Sequence, residues 1–179
     1  MRLAPIACSA VAILALSAGT VLLPAASAHA MTLGTLACTG TESDSYSPAL
    51  TTTASAGTFI TTVDTIGSCL TTDDTITGGQ SYNNVIQSGV SCDTLLASGS
   101  GVTTYIWSNN NYSTFQYNQT TTVVDGEIIT TQRGTIIEGE FAGNIAVQVN
   151  ILPTLDLTAC TNGGISSANG TVTFSILPL

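Results

Sequence analysis

Beyond residue 31, apolar residues recur at every second position over short windows, and no window shows the three-and-four spacing of an amphipathic helix. Thr, Ser, Val and Ile dominate this part of the chain, and such side chains favour a pleated, half-buried surface. Clusters of Gly, Asn, Asp and Ser interrupt the runs. The pattern predicts strands near 33–39, 46–53, 58–66, 82–88, 92–97, 102–108, 112–123, 127–138, 144–151 and 171–177.

The turns carry the clearest local signals. Asp125-Gly126 lies between Val123-Val124 and Ile128-Ile129, and Asp-Gly suits a two-residue hairpin because both positions need positive φ. Ser108-Asn109-Asn110-Asn111 separates two aromatic runs, and Asn tolerates left-handed geometry. The next reversal falls at Gly143-Asn144 or Glu138-Gly139, and Gly163-Gly164 with Asn169-Gly170 punctuate the approach to the last strand. Thr71 to Gln80, with Asp73-Asp74 and Gly78-Gly79, reads as a polar surface loop. Ten short hairpin-linked strands point to an all-β fold, a two-sheet antiparallel β-sandwich. The order Cys92, Trp107, Cys160 resembles the immunoglobulin spacing, although Thr158 stands where that pattern has Tyr.

The first thirty residues are different. Met1-Arg2 gives a basic start, Leu3 to Leu23 is apolar or small, and Pro24 precedes Ala26-Ser27-Ala28-His29-Ala30. This is the layout of a secretory signal peptide, cleaved after Ala28 or, as preferred here, Ala30. The expected organisation is a signal-peptide helix over 1–30 and one secreted domain over 31–179. Removal of the signal takes away Cys8, Arg2 and the single His29. Arg133 is then the lone base against eleven carboxylates, a formal charge of about −10. Such a chain is a poor partner for nucleic acid or an anionic membrane surface.

Several features resemble a group of small secreted proteins from filamentous Gram-positive bacteria that have no assigned activity. They are Cys38-Thr39-Gly40 with Tyr46-Ser47-Pro48, then Trp107, Ser113-Thr114-Phe115, and Gly139-Glu140-Phe141-Ala142-Gly143. The resemblance implies a β-sandwich and brings no functional residues.

Four cysteines remain after the signal: Cys38, Cys69, Cys92 and Cys160. An even count in an exported chain reads as a disulfide framework with three possible pairings. Cys38–Cys69 with Cys92–Cys160 is preferred, the first stapling the N-terminal third and the second closing a long loop. Zinc is disfavoured because no two cysteines share a short metal-ligand spacing.

Without His or Lys, the secreted domain has no base for Ser-His-Asp, Cys-His, Ser-Lys or Schiff-base chemistry. Gly-rich phosphate loops are missing, and no cofactor or metal site is expected. Glu138 with Glu140 and Asp125 with Glu127 read as solvated edge charges rather than a glycosidase pair. A calcium site at Asp73-Asp74 or among the acids of 125–140 lacks a dense Asp-rich loop.

Tyr105, Trp107 and Tyr112 form the one candidate binding site. A two-residue turn at Asn109-Asn110 puts Trp107 opposite Tyr112, a face that could stack on sugar rings. A three-residue turn puts Trp107 opposite Ser113 and Tyr105 opposite Phe115, a core face. One step of register exchanges the two, and core is the preferred reading for Trp107. The expected function is a non-catalytic extracellular domain with a structural, surface-associated or binding role. Its partner would be an extracellular protein or polysaccharide. The alternatives are a protease inhibitor presenting Thr71–Gln80 and a carbohydrate-binding module using Tyr105, Trp107 and Tyr112.

Overall fold

The computed structural model describes residues 35–94, 98–125, 127–153 and 157–179. The predicted signal segment lies outside them. Among the described residues the strands are β1 (Leu36–Leu50), β2 (Thr58–Thr71), β3 (Gly79–Gln87), β4 (Gly99–Trp107), β5 (Tyr112–Val124), β6 (Glu127–Gly139), β7 (Ile145–Pro153) and β8 (Ile165–Leu177). A one-turn helix, α1 (Leu157–Thr161), joins β7 to β8.

Each strand pairs antiparallel with the next, and β8 returns to β1, from Leu36↔Ile176 to Ser45↔Ser167. The sheet therefore closes on itself as an eight-stranded barrel. This corrects the expected two-sheet sandwich, immunoglobulin-like or related. Alternation shows that one face of each strand is covered, whether by a second sheet or by the same sheet curled round. The closing β1–β8 ladder is the longest-range pairing in the fold, and local pattern does not reveal it.

Three strand expectations change with the closure. Residues 36–39 and 46–50 of the two expected strands belong to one strand, β1, which continues through polar residues 40–45 with a register shift at Thr39/Gly40; 33–34 lie outside the described residues. Cys92–Thr94 forms a turn rather than a strand, and 95–97 lie outside the described residues. Asn169-Gly170 sits inside β8, not in a turn before it. The β5–β6 hairpin follows expectation: Val124 pairs with Glu127, and Asp125 has φ 50°. Gly126 lies outside the described residues.

Inside the barrel, side chains sort into layers. One end is filled by Leu36, Cys38, Ile66, Trp107, Phe115, Ile136, Phe174 and Ile176. Ile76, in the turn between β2 and β3, folds inward to plug that end, as does Phe141 between β6 and β7. The other end holds Tyr46, Leu50, Val90, Ile128, Leu152, Cys160 and Ile165. A polar layer lies between, and β7 shows it in one strand: its buried positions read Ala146, Gln148, Asn150, Leu152.

Both preferred disulfides are present. Cys38–Cys69 bridges directly paired residues of β1 and β2. Cys92–Cys160 spans 68 positions and ties the segment after β3 to α1.

One seam is incomplete. β3 pairs with β4 only at Gly79↔Trp107, Gln80↔Ile106 and Ser81↔Tyr105. Beyond Ser81, β3 continues beside β2 as far as Gln87↔Thr58. The first half of β4 pairs with β5 alone, from Gly99↔Gln119 to Thr104↔Thr114. The two strands thus splay apart, bridged by a side-chain bond from Asn83 Nδ2 to Thr103 Oγ1 at 2.6 Å.

Candidate ligand cavity inside the barrel

The splayed seam opens onto a cavity of about 520 Å³, within the size range of small-molecule sites. Its rim includes Val85, Gln87, Gly99 and Val102 from the two splayed strands. Its polar wall is the middle layer of the barrel, with Glu42, Asp44, Thr62, Asp64, Gln132, Gln148 and Asn150. Tyr46, Ile60, Val90, Ile128 and Leu152 supply an apolar wall toward the second core cluster.

Three carboxyl groups face this space because strand alternation and register put them there. Glu42 and Asp44 are two apart on β1 and share its inward face. Across the β1–β2 ladder, Glu42 pairs with Asp64 and Asp44 with Thr62. All three acids are buried. Directly opposed like charges are destabilising, so this arrangement needs protons, hydrogen-bond donors or a cation.

The donors are partly supplied. Asp44 Oδ1 accepts from Thr62 Oγ1 at 2.6 Å and Oδ2 from the Tyr46 hydroxyl at 3.3 Å. Asp64 Oδ2 accepts from Ser81 Oγ at 2.9 Å and from Gln148 Nε2 at 3.2 Å. Asn150 Nδ2 donates to Glu42 Oε2, and Gln148 Nε2 also reaches Asn150 Oδ1 at 2.9 Å. The Tyr105 hydroxyl lies 2.8 Å from Asp64 Oδ2 and 2.6 Å from Gln148 Oε1. One phenolic proton cannot serve both acceptors. A proton on Asp64 resolves this: the carboxyl donates to Tyr105 and Tyr105 donates to Gln148.

The electrostatics agree. Burial, then the neighbouring Asp44 and Asp64 charges, push the Glu42 carboxyl up to about 10. Burial also raises Asp44, against hydrogen bonds from Thr62, Glu42 and Tyr46 that act in the opposite direction. Asp64 is raised by burial against the bonds from Tyr105, Ser81 and Gln148. Tyr105 moves well above its ordinary value for the same first reason, burial. Burial therefore favours the protonated form of each of the three acids relative to a solvated carboxyl group.

Two buried acceptors still have no partner: Asp64 Oδ1 and Gln132 Oε1. Both residues line the cavity.

The sequence-predicted site does not assemble as one surface. Tyr105 pairs with Ser113 and Ile106 with Tyr112, so the register is neither of the two expected alternatives and lies one step beyond the first. The Trp107 N–H donates to Asn111 O, leaving Ser108, Asn109 and Asn110 as the turn, with Asn110 at φ 65°. Trp107 and Tyr105 point inward and stack with centroids 5.4 Å apart, whereas Tyr112 is on the outer face and exposed. Tyr105 does touch the cavity chemistry, through its hydroxyl.

The expected Thr71–Gln80 loop is shorter, since Thr71 ends β2 and Gly79-Gln80 begin β3, and the turn between them is tied down. Asp73 Oδ1 accepts from Thr75 N and Oγ1, and Ser108 Oγ receives Thr77 N at 2.8 Å. Among the described residues no three His, Cys, Asp or Glu side chains group closely enough to hold a metal ion. Arg133 lies on the outer face of β6, opposite Asn118 and Val147.

Sequence reasoning missed Glu42, Asp44, Asp64, Gln132, Gln148 and Asn150. Two signals were present. Cys38, Glu42, Asp44 and Tyr46 share one parity, and so do Ala146, Gln148, Asn150 and Leu152. Residues 40–45 fall between the two expected strands because an inward-facing run of acids is the opposite of a core pattern.

Comparison with known proteins adds no relative: no protein-family profile matches the chain, and no curated protein or solved structure is significantly similar to it.

Proposed function

We propose that the protein is a non-catalytic extracellular binding protein that takes a small polar molecule into its barrel. The observation that carries this reading is the cavity itself: about 520 Å³, polar on one wall, apolar on another, and open through the β3–β4 seam. A closed barrel that lacked such a role would fill its interior with side chains. Here the two ends are filled, and a cavity remains beside the polar middle layer.

A binding role fits the chemistry better than turnover. All four cysteines of the domain are in disulfides, and the secreted segment has neither His nor Lys to activate a nucleophile. The extracellular assignment rests on the signal-like first thirty residues and on the two disulfides, which persist in oxidising compartments. A hydroxyl-rich exterior, with Thr39, Thr41, Ser43 and Ser45 outward on β1 and Thr171, Thr173 and Ser175 on β8, suits contact with water.

The test is a thermal-shift screen of the oxidised domain against small amines, polyols and hydroxylated aromatics, with hits confirmed by calorimetry. A hit should lose at least tenfold in affinity in Gly99→Trp. Gly99 sits on the rim, and a Cβ there meets nothing within 4 Å, so the indole can occupy the opening without disturbing the strand. Hits that bind Gly99→Trp as well as the parent protein would place binding elsewhere. Turnover of a hydrolase substrate by the purified domain would remove the non-catalytic part of the reading.

A further inference from the structure

We infer that the ligand is an organic ammonium compound: a protonated primary or secondary amine carried on an apolar body, with its nitrogen seated among Glu42, Asp44, Asp64 and Gln132. This deepens the proposed function and rests on it.

The first argument is the inventory of donors and acceptors. The polar wall contains three carboxyl groups, two from adjacent positions of one strand face and one directly across the ladder. Among the described residues no Lys, Arg or His faces them: the single base there, Arg133, is on the outside of β6. A neutral ligand would leave these acids to hold their own protons, an anion would add negative charge beside them, and an ammonium can take the place of a proton. An ammonium group brings one positive charge and two or three N–H donors to a site that has acceptors in excess.

The second argument is independent of the acids. Gln132 is a neutral residue on β6, only 8% exposed, and its Oε1 has no partner while its Nε2 donates to Gln119 Oε1 at 3.2 Å. Asp64, 2% exposed, likewise leaves Oδ1 unpartnered. Buried acceptors left unmade are costly and uncommon. Both unpartnered atoms are acceptors, both belong to residues of the same cavity, and both call for a donor that no described residue provides.

The third argument separates an amine from a metal ion. The acids do not converge into a chelating group among the described residues, whereas an ammonium needs only spaced acceptors around it. The opposite wall, with Ile60, Val90, Ile128 and Leu152, offers the hydrocarbon body a place that a hydrated metal would not use.

Three compounds on one carbon skeleton test this directly: tyramine, the neutral alcohol tyrosol, and the anion 4-hydroxyphenylacetate. Each is titrated calorimetrically into the oxidised domain at neutral pH, alongside calcium chloride. The expected result is binding of tyramine at least tenfold tighter than tyrosol, with no binding of 4-hydroxyphenylacetate and no response to calcium. Asp64→Asn, near-isosteric and monitored for folding by circular dichroism, should abolish most of the tyramine preference and leave tyrosol unchanged. Gln132→Leu should weaken tyramine without changing the fold.

Equal or tighter binding of tyrosol or of the anion overturns the ammonium inference while leaving the cavity function standing, provided Gly99→Trp blocks that binding. Tight calcium binding that excludes tyramine overturns it in favour of a metal. Absence of binding by all three organic probes at millimolar concentration overturns it. The cavity reading then falls separately only if the wider thermal-shift screen is also blank.

Discussion

Trp107 is the residue whose role turns most sharply on structure. Its indole stacks on Tyr105, meets Phe141 edge-on at 6.4 Å and donates from Nε1 to Ser113 Oγ at 2.8 Å. Gly79 on the neighbouring strand leaves room for it, since a Cβ there would lie 2.5 Å from the ring. Trp107→Ala should lower stability by about 3–5 kcal/mol, as large aromatic truncations in cores do, measured by urea unfolding. Retained stability with loss of sugar binding would return the residue to a surface role. Glu42 is the second telling residue. Glu42→Gln keeps the volume and the hydrogen bonding of a protonated acid but removes its titration. The variant should match the parent protein near pH 5 and exceed it in melting temperature at pH 9, and equal melting temperatures at pH 9 would show that Glu42 is not held protonated.

At the scale of elements, β1 and the β3–β4 seam matter most. β1 carries Leu36, Cys38, Glu42, Asp44 and Tyr46 inward without a break, so one strand contributes to the end core, a disulfide and the cavity. The segment 88–94 flanks the seam, contributes Val90 and Thr94 to the cavity, and is held by Cys92–Cys160. Removing that bridge with Cys92→Ala and Cys160→Ala should destabilise the fold by about 4 kcal/mol on the loop-entropy account. Removing Cys38–Cys69, which joins strands already laddered together and spans only 31 positions, should cost less. Denaturant titrations of both double variants decide the order. Arg133 gives a third prediction. It lies within β6 between two paired strands, and proteolysis requires an extended, released backbone. The oxidised domain should survive trypsin for hours under conditions that cleave the reduced, denatured chain at once. Rapid cutting after Arg133 in the native protein would show that β6 opens readily.

For the whole molecule the buried acids set a direction with pH. Glu42, raised to about 10, and Asp44 and Asp64, also raised, bind protons more tightly folded than unfolded. Stabilisation from these protons is fully present below the ordinary carboxyl value near 4.5 and is lost as pH climbs toward 10. The barrel should melt at a higher temperature at pH 5 than at pH 9, by calorimetry, and an opposite slope would mean the acids are ionised in the folded state. The acidic surface adds repulsion at high pH in the same direction, so Glu42→Gln is the control that isolates the interior.

How much of this was readable beforehand follows residue by residue. The Asp125 turn, the strand periods of β5 to β7 and the pairing of Cys38 with Cys69 and Cys92 with Cys160 were all legible, because each depends on local geometry or on a short menu of options. The cavity was not. Glu42 and Asp44 sit in a strand whose inward face is polar, and Asp64 reaches them only through the β1–β2 register. The Tyr105 hydroxyl joins that group from β4, with Gln148 from β7.

By itself, the sequence determined an all-β chain with no lysine, an even set of four cysteines beyond residue 31, and Arg133 as the single base in that stretch. Only the tertiary structure decided that β8 closes on β1, that the aromatic hairpin turns its Trp inward, and that three acids share an interior. The physical reason is range. Alternation, turn residues and composition act over a few positions, whereas closure and the polar layer depend on contacts between strands far apart in the chain.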